Sequence, residues 1–233
     1  MLLELLLFFI LGLAVGSFVT VVVERLDTVE SFWIGRSHCN HCKKVLSWWE
    51  LLPFISFLIL KGRCIRCNRK IPILYPIFEL ITGLSFLGLR IATPSPTNYW
   101  LLVLELIVIT VLLILCFYDW VNQAFPAHVL YLALVLVAIL AVVHLSLGTP
   151  QGRLVNITDP LFHWLSTPNQ AVLFYLYGGI VGAGILGLLA FPSKGTWMGY
   201  GDVFVGGIIG LWLGYPFVLI ALLLAFYGGA FIG

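Results

Sequence analysis

Long apolar runs alternate with short polar segments along the whole chain. Each run is close to the roughly 20 residues that a helix needs to cross a hydrocarbon core about 30 Å thick. Five such runs occupy residues 2–23, 73–91, 99–118, 129–147 and 171–191. A further apolar stretch, 203–233, is interrupted by Gly-Tyr-Pro at 214–216, which predicts one short and one ordinary helix. The pattern therefore predicts an all-α, polytopic membrane bundle of six or seven transmembrane helices.

Composition agrees with this fold class and excludes others. The 233 residues are 61% hydrophobic and only 9% charged, far from a water-soluble domain and equally far from a disordered chain. Nucleic acid is not expected as a partner, because the formal net charge is only +2. The first run contains Glu4 and lacks a basic leader and a small-residue cleavage pattern, so we expect it to remain as a transmembrane helix in the lipid bilayer.

Basic residues are concentrated between the first two runs. Nine of the 12 Lys and Arg residues lie there: Arg25, Arg36, Lys43, Lys44, Lys61, Arg63, Arg66, Arg69 and Lys70. Such residues keep short loops in the cytoplasm, which places 24–72 inside, together with 119–128 and 192–202, and places 92–98 and 148–170 outside. The cluster would also attract anionic lipid. We accordingly divide the chain into a first helix (1–23), a cytoplasmic cysteine loop (24–72) and the remaining membrane helices (73–233).

The cytoplasmic loop carries two Cys-x-x-Cys knuckles, separated by 21 residues. Their cysteines are Cys39, Cys42, Cys64 and Cys67. Two knuckles supply the four thiolates of a tetrahedral structural zinc site. Two disulfides are the alternative, which the reducing cytoplasm disfavours.

The spacing between the knuckles and the remaining histidines and cysteine bear on this zinc-site interpretation. The spacing between the knuckles slightly exceeds the usual range of about 15–20 residues, and a hairpin within 48–60 would close the gap. His38 and His41 could substitute for a cysteine that does not bind the metal. Cys116 lies alone in an apolar run and is expected to be a small core residue.

Two acidic residues lie at predicted cytoplasmic ends of helices. Asp119 ends the third run, and Asp202 follows Gly-Tyr-Gly at the start of the last stretch. Two carboxyls within hydrogen-bonding reach would share a proton and could hydrolyse a peptide by general acid and base catalysis. The alternatives are that Asp202 caps a helix and that Asp119 marks the membrane interface. Glu105 lies deeper in the third run and could pair with another helix.

Motifs spread over most of the chain resemble those of the bacterial type IV prepilin peptidases, the bifunctional leader peptidases and N-methyltransferases of pilus and type II secretion systems. They comprise Gly-Ser-Phe at 16–18, both cysteine knuckles, Trp-Trp-Glu-Leu-Leu-Pro at 48–53, Lys-Gly-Arg-Cys at 61–64, Tyr-Pro-Ile-Phe-Glu-Leu at 75–80, Asp119 with Pro126, and Gly-Tyr-Gly-Asp at 199–202. The cysteine loop separates this family from presenilin-like relatives. Two positions depart from the family pattern, Ala127 after the proline and Phe204 in place of a lysine, and the chain ends about one helix early.

The resemblance implies a function. Asp119 and Asp202 would be the catalytic aspartates, and the four cysteines would form the zinc-type cluster. The enzyme would sit in the bacterial inner membrane, with its active site at the cytoplasmic face. There it would cut the basic leader of type IV prepilins or pseudopilins after a glycine and methylate the new N-terminus with S-adenosylmethionine.

Methyl transfer is expected to use a site built by the cysteine loop against the membrane helices, since the chain has no Gly-rich nucleotide-binding motif. Family position suggests Gly16, Gly62 and Glu79 as cofactor-binding residues. Gly16 could instead serve helix packing, and Glu79 could instead pair with a basic residue. Two other functions stay open at this point: a peptidase without methyltransferase activity, and a membrane ion or proton transporter with a metal-bound regulatory loop.

Overall fold

The fold is helical throughout the part of the chain that the computed structural model describes, residues 2–28, 35–93, 98–146 and 168–232. The helices are α1 (Leu2–Arg25), α2 (Ile55–Ile59), α3 (Leu74–Ala92), α4 (Tyr99–Asn122), α5 (Ala127–Ser146), α6 (Pro168–Ala190), α7 (Tyr200–Leu213) and α8 (Phe217–Ile232), with a 3-10 turn at Trp48–Leu51. These ranges contain no β-strand, only two isolated bridges. The all-α prediction is confirmed.

Five helices are long and apolar enough to cross a membrane: α1, α3, α4, α5 and α6. The two shorter apolar helices α7 and α8 are separated at Gly214, as the Gly-Tyr-Pro interruption predicts. The chain is therefore a multi-pass membrane protein. The predicted outer loops 92–98 and 148–170, with Arg153, fall mostly outside the described residues.

The chain divides into two compact units. The first contains residues 1–97 and 109–123, and the second contains residues 98–108 and 124–233. Helix α4 therefore contributes its beginning to the second unit and its end to the first.

In the first unit, α1 and α3 pack closely because glycines remove side chains from their interface. A Cβ atom added to Gly12 would lie 2.7 Å from the Cα atom of Gly83, and one added to Gly16 would lie 2.7 Å from that of Glu79. The aromatic rings of Phe78 and Phe117 stack 3.9 Å apart beside this pair of helices, within a small buried cluster. The alternative given above for Gly16, helix packing, matches its position.

An ion pair also joins the start of α1 to the end of α3. The guanidinium of Arg90 near the end of α3 donates to the carboxylate of Glu4 near the start of α1, at 2.9 Å. An arginine in an apolar helix is costly without such a partner. The ion pair thus explains a charged residue in the second apolar run and fixes α1 and α3 as antiparallel neighbours.

In the second unit, α6 and α7 are joined through glycines on both helices. A Cβ atom on Gly182 would overlap the carbonyl oxygen of Gly206, and one on Gly178 would overlap that of Gly210. Backbone therefore packs directly on backbone, as in small-residue interfaces of membrane helices.

The deep acid of the third run also finds a partner in this unit. His144 Nε2 of α5 lies 3.3 Å from Glu105 Oε1, and both side chains are buried. The pairing of Glu105 with another helix, suggested by its position in the sequence, is confirmed.

The expectation for Cys116 is wrong. Its side chain is exposed on α4 rather than packed in a core. In a membrane helix the outward face meets lipid, where a small apolar side chain is as compatible as in a protein interior. Apolarity alone therefore could not distinguish the two locations.

Candidate metal centre and active-site residues

The two cysteine knuckles repeat one backbone geometry. In each, the carbonyl oxygen of the first cysteine accepts a 2.9 Å hydrogen bond from the amide four residues later, Lys43 to Cys39 and Asn68 to Cys64. Lys43 and Asn68 both have a φ of 55°, which turns the chain back after the second cysteine. This tight turn presents both thiols of a knuckle to the same side.

The four sulfur atoms converge on one point. The Sγ atoms of Cys39 and Cys67 lie 3.9 Å apart, as do those of Cys42 and Cys64. All four Sγ atoms lie within 4.8 Å of one another. Four sulfurs at about 2.3 Å from a zinc ion would be separated by about 3.8 Å, whereas a disulfide requires about 2.05 Å. The residues therefore fit a tetrathiolate metal site, with no histidine needed.

Backbone amides prepare one cysteine for ionisation. The amides of Cys67 and Arg66 lower the pKa of Cys64 to about 6, against its burial. The pKa of Cys67 is raised to about 11, despite the Arg69 amide, by burial and the neighbouring sulfurs. Of these two cysteines, Cys64 therefore loses its proton first, and binding of a cation by the thiolates would displace the proton of Cys67 as well.

The segment between the knuckles forms a helical hairpin, as its length predicts. The 3-10 turn at Trp48–Leu51 and helix α2 lie against one another. Lys44 Nζ contacts the two carboxylate oxygens of buried Glu50 at 2.8 and 3.0 Å, and the Ser47 amide donates to the same carboxylate at 2.7 Å. This network ties the first knuckle to the start of the hairpin.

A cleft of about 670 Å³ opens between the end of α1, the cysteine loop and the beginning of α3. Its polar lining includes Ser17, Glu24, Asp27, Asn40, Tyr75 and Glu79. Glu79 is buried, and its carboxylate accepts hydrogen bonds from the Phe54 amide at 2.7 Å and from the Ser17 side chain. The loop thus builds a pocket against the membrane helices, and Glu79 binds loop backbone rather than a basic side chain.

Two tyrosines donate hydrogen bonds to acidic residues that line this cleft. The Tyr75 hydroxyl donates to the carboxylate of Glu24, and the Asn40 amide nitrogen contacts the same hydroxyl at 3.5 Å. The Tyr118 hydroxyl donates to the carboxylate of Asp27. Together they join the end of α1 to the first knuckle, to α3 and to α4.

The two predicted catalytic aspartates lie at helix ends. Asp119 lies in the last turn of α4 and is partly exposed. Asn122, three residues later and on the same side of the helix, lines the cleft. Asp202 lies in the first turn of α7, where its Oδ2 accepts a 3.0 Å hydrogen bond from the Gly199 amide. Asp119 belongs to the first unit and Asp202 to the second, so their pairing stays a prediction.

The glycines predicted to bind cofactor lie outside the cleft lining. Gly62 has a φ of 64° and faces the ring of Phe57, so it forms the turn that leads into the second knuckle. Sequence reasoning gave no role to Glu24 or Asp27. The available signal was their position, since both acids directly follow an apolar run beside Arg25.

The fold and these sites define a multi-pass membrane protein with a tetrathiol centre in a basic loop and aspartates at two helix ends. The chain belongs to the type IV leader peptidase family, whose model matches residues 106–233. Residues 10–93 match the bacterial peptidase A24 N-terminal domain. The resemblance drawn from the sequence motifs is confirmed.

The relatives of this chain include several proteins named prepilin leader peptidase/N-methyltransferase. The Myxococcus xanthus protein is 46% identical over 78 residues, which cover 34% of this chain and 23% of that protein. The Bacillus subtilis protein is 28% identical over 97% of this chain and 80% of its own length, and the Legionella pneumophila protein is 26% identical over 95% and 78%. No solved structure matches the chain.

Proposed function

We propose that this chain is a membrane aspartic endopeptidase that removes the short basic leader of type IV prepilins or pseudopilins after a glycine and then N-methylates the new N-terminus. The match of residues 106–233 to the leader peptidase family carries this proposal, because that range contains both Asp119 and Asp202. The names of the relatives support both activities. The basic loop supports an orientation in the bacterial inner membrane with the site at the cytoplasmic face.

Peptide cleavage would use the two aspartates as one unit. With one proton shared between them, the ionised carboxylate takes a proton from water while the protonated carboxyl polarises the scissile carbonyl. The Gly199 amide on Asp202 supports this role by holding its carboxylate in one orientation at the start of α7. Capping of the helix and catalysis are compatible, since the cap engages one oxygen.

The cleft of the first unit fits the methyl donor. Its volume lies within the usual range for small-molecule pockets, about 300–1,000 Å³. S-adenosylmethionine carries a sulfonium and an ammonium cation, which suit Glu24 and Asp27, and a carboxylate, which suits Arg69 in the same lining. When bound, this cofactor supplies an electrophilic methyl group. Glu79 would orient the peptide amine and accept its proton, because the Phe54 amide and Ser17 fix its carboxylate.

Substitution of either aspartate tests the peptidase assignment. In Asp119→Asn and Asp202→Asn, leader cleavage is expected to fall by about 10³-fold or more, because a side-chain amide can act neither as general base nor as general acid near neutral pH. Both variants should still methylate a pre-cleaved peptide when given S-adenosylmethionine. Cleavage assays on a pilin-type substrate measure the first effect. Substantial cleavage by either variant would remove that aspartate from the mechanism.

Glu79→Gln tests the methyl-transfer site without changing side-chain size. Methylation of a pre-cleaved peptide is expected to fall by about 10²-fold or more, while cleavage of the intact substrate persists. Ser85→Ala serves as the control, because Ser85 is half-buried on the same helix, bonds the Ile81 carbonyl and is not part of the cleft lining. Calorimetric titration with S-adenosylmethionine separates lost binding from lost proton transfer. If the wild-type protein neither binds the cofactor nor methylates the peptide, the protein is a peptidase only.

A further inference from the structure

The hairpin between the knuckles, residues 48–60, has two unlike faces. Ser56, Phe57 and Leu60 line the cleft. On the opposite side Ile55, Leu58 and Ile59 are 51%, 59% and 64% exposed, and Trp48 is 76% exposed. Positions i, i+3 and i+4 form one stripe on a helix, so Ile55, Leu58 and Ile59 make a continuous apolar face on α2, to which the 3-10 turn adds the exposed ring of Trp48. Unpartnered apolar faces of this kind mark an interaction surface.

A hydrogen bond to α3 holds the hairpin beside the membrane helices. Its connections run from the end of α1 and to the start of α3, two helices long enough to span the bilayer. At its centre, the Phe54 amide donates to Glu79. Glu79 lies five residues inside α3 from Leu74, or about 7.5 Å along the helix axis. The chain therefore folds back from the helix ends toward the bilayer interior before it reaches the second knuckle.

Basic side chains follow this apolar face along the chain. Lys61 and Arg63 come directly after the hairpin and are exposed, as is Arg66 of the second knuckle. Interfacial helices combine an apolar face, buried about 5–10 Å below the headgroups, with basic residues at the level of anionic lipid. The depth of the Phe54 contact and the charge of the flanking residues both match this arrangement.

We infer that residues 48–60 form an in-plane membrane anchor, which inserts Trp48, Ile55, Leu58 and Ile59 into the lipid leaflet at the end of α1 and binds anionic headgroups through Lys61 and Arg63. The anchor thereby holds the cleft-lining residues of the hairpin, Ser56, Phe57 and Leu60, at the bilayer surface. This assignment rests on contacts within the first unit and does not depend on the proposed enzymatic activities.

Photo-crosslinking tests the anchor in the full-length protein. A p-benzoylphenylalanine is introduced in place of Leu58 or of Ile59, and the purified protein is reconstituted in nanodiscs with or without anionic lipid. Val45, an exposed apolar residue of the first knuckle, provides the matched control position. Mass spectrometry counts lipid adducts at each position. Unchanged thiol reactivity of the cysteine cluster shows that each variant is folded.

We expect lipid adducts at positions 58 and 59, few at position 45, and a higher yield with anionic lipid. Lys61→Gln should reduce the preference for anionic lipid by roughly fivefold. Equal yields at positions 45 and 58, or no lipid adducts, would overturn the inference. Replacement of lipid adducts by peptide adducts when a pilin-type substrate is added would assign the face to substrate instead.

Discussion

Glu50 shows how one buried residue can set the position of a metal-binding knuckle. Its burial opposes ionisation, but the Lys44 ammonium and the Ser47 amide outweigh this effect, and the pKa of Glu50 is lowered. The Cys39 amide donates to the carbonyl of the same Lys44 at 2.9 Å. The carboxylate thus supports the backbone that carries the first thiol.

Glu50→Gln is therefore expected to loosen the first knuckle by about 1 kcal/mol, less than the roughly 1.5–3 kcal/mol of a buried charged hydrogen bond because Lys44 is partly exposed. Since folding lowers the pKa of Glu50, its contribution is fully present above the unfolded value of about 4.3 and is lost as the pH falls through the folded value. Hydrogen exchange of the Leu46 amide, which bonds the Ser37 carbonyl, should accelerate in the variant at pH 7. Exchange rates of variant and wild type, corrected for intrinsic rates, should converge at low pH. A difference that persists there would contradict the assignment.

At the scale of helices, glycines determine how closely pairs approach. Gly182 and Gly184 both lie on α6, yet a Cβ atom on Gly182 would overlap the carbonyl of Gly206, whereas Gly184 has open space around it. A glycine-to-alanine substitution raises helix propensity equally at both positions. Any difference in stability between the two variants therefore reports the packing of α6 against α7.

Gly182→Ala is expected to destabilise the protein by about 1–3 kcal/mol through overpacking against α7, while Gly184→Ala is neutral or slightly stabilising. Thermal unfolding in a single detergent compares the two variants. Equal melting temperatures would show that α6 and α7 do not pack through backbone contacts. Because α7 begins at the turn that holds Asp202, we also expect Gly182→Ala to reduce leader cleavage.

The sequence predicted the helices well because membrane spans are defined by local composition. The runs 99–118 and 129–147 correspond to α4 and α5 within a few residues. Contacts between residues far apart in the chain could not be predicted in this way, because no local sequence pattern marks them. The Phe54 to Glu79 hydrogen bond joins residues 25 positions apart, and the Asp27 to Tyr118 hydrogen bond joins residues 91 apart. The tetrathiol cluster was predictable because its spacing is itself a local pattern.

At the scale of the whole molecule, the metal centre closes a loop whose ends lie on two membrane helices. The purified protein is expected to contain about one zinc ion per chain, bound by four thiolates. Chelation should release the loop and increase tryptic cleavage at Lys61 and Arg63, while the membrane helices stay protected. Metal analysis and limited proteolysis measure these effects.

Two cysteine variants test whether the zinc ion is bound by the cluster. Cys64→Ser should lose the zinc, whereas Cys116→Ser should retain it, because Cys116 lies on α4 away from the cluster. Metal-free protein with fully reduced thiols, or two disulfides in freshly lysed cells, would reverse the assignment.

The end of α4 forms part of the cleft wall through Val121 and Asn122, and Asp119 lies about one turn before Asn122 on the same side of the helix as that residue. One helical turn measures about 5.4 Å. A peptide end generated beside Asp119 would thus need to shift by only one or two residues to enter the cleft. With so short a transfer, the two proposed reactions would act in succession on one bound peptide, and leaderless but unmethylated pilin is expected to be scarce.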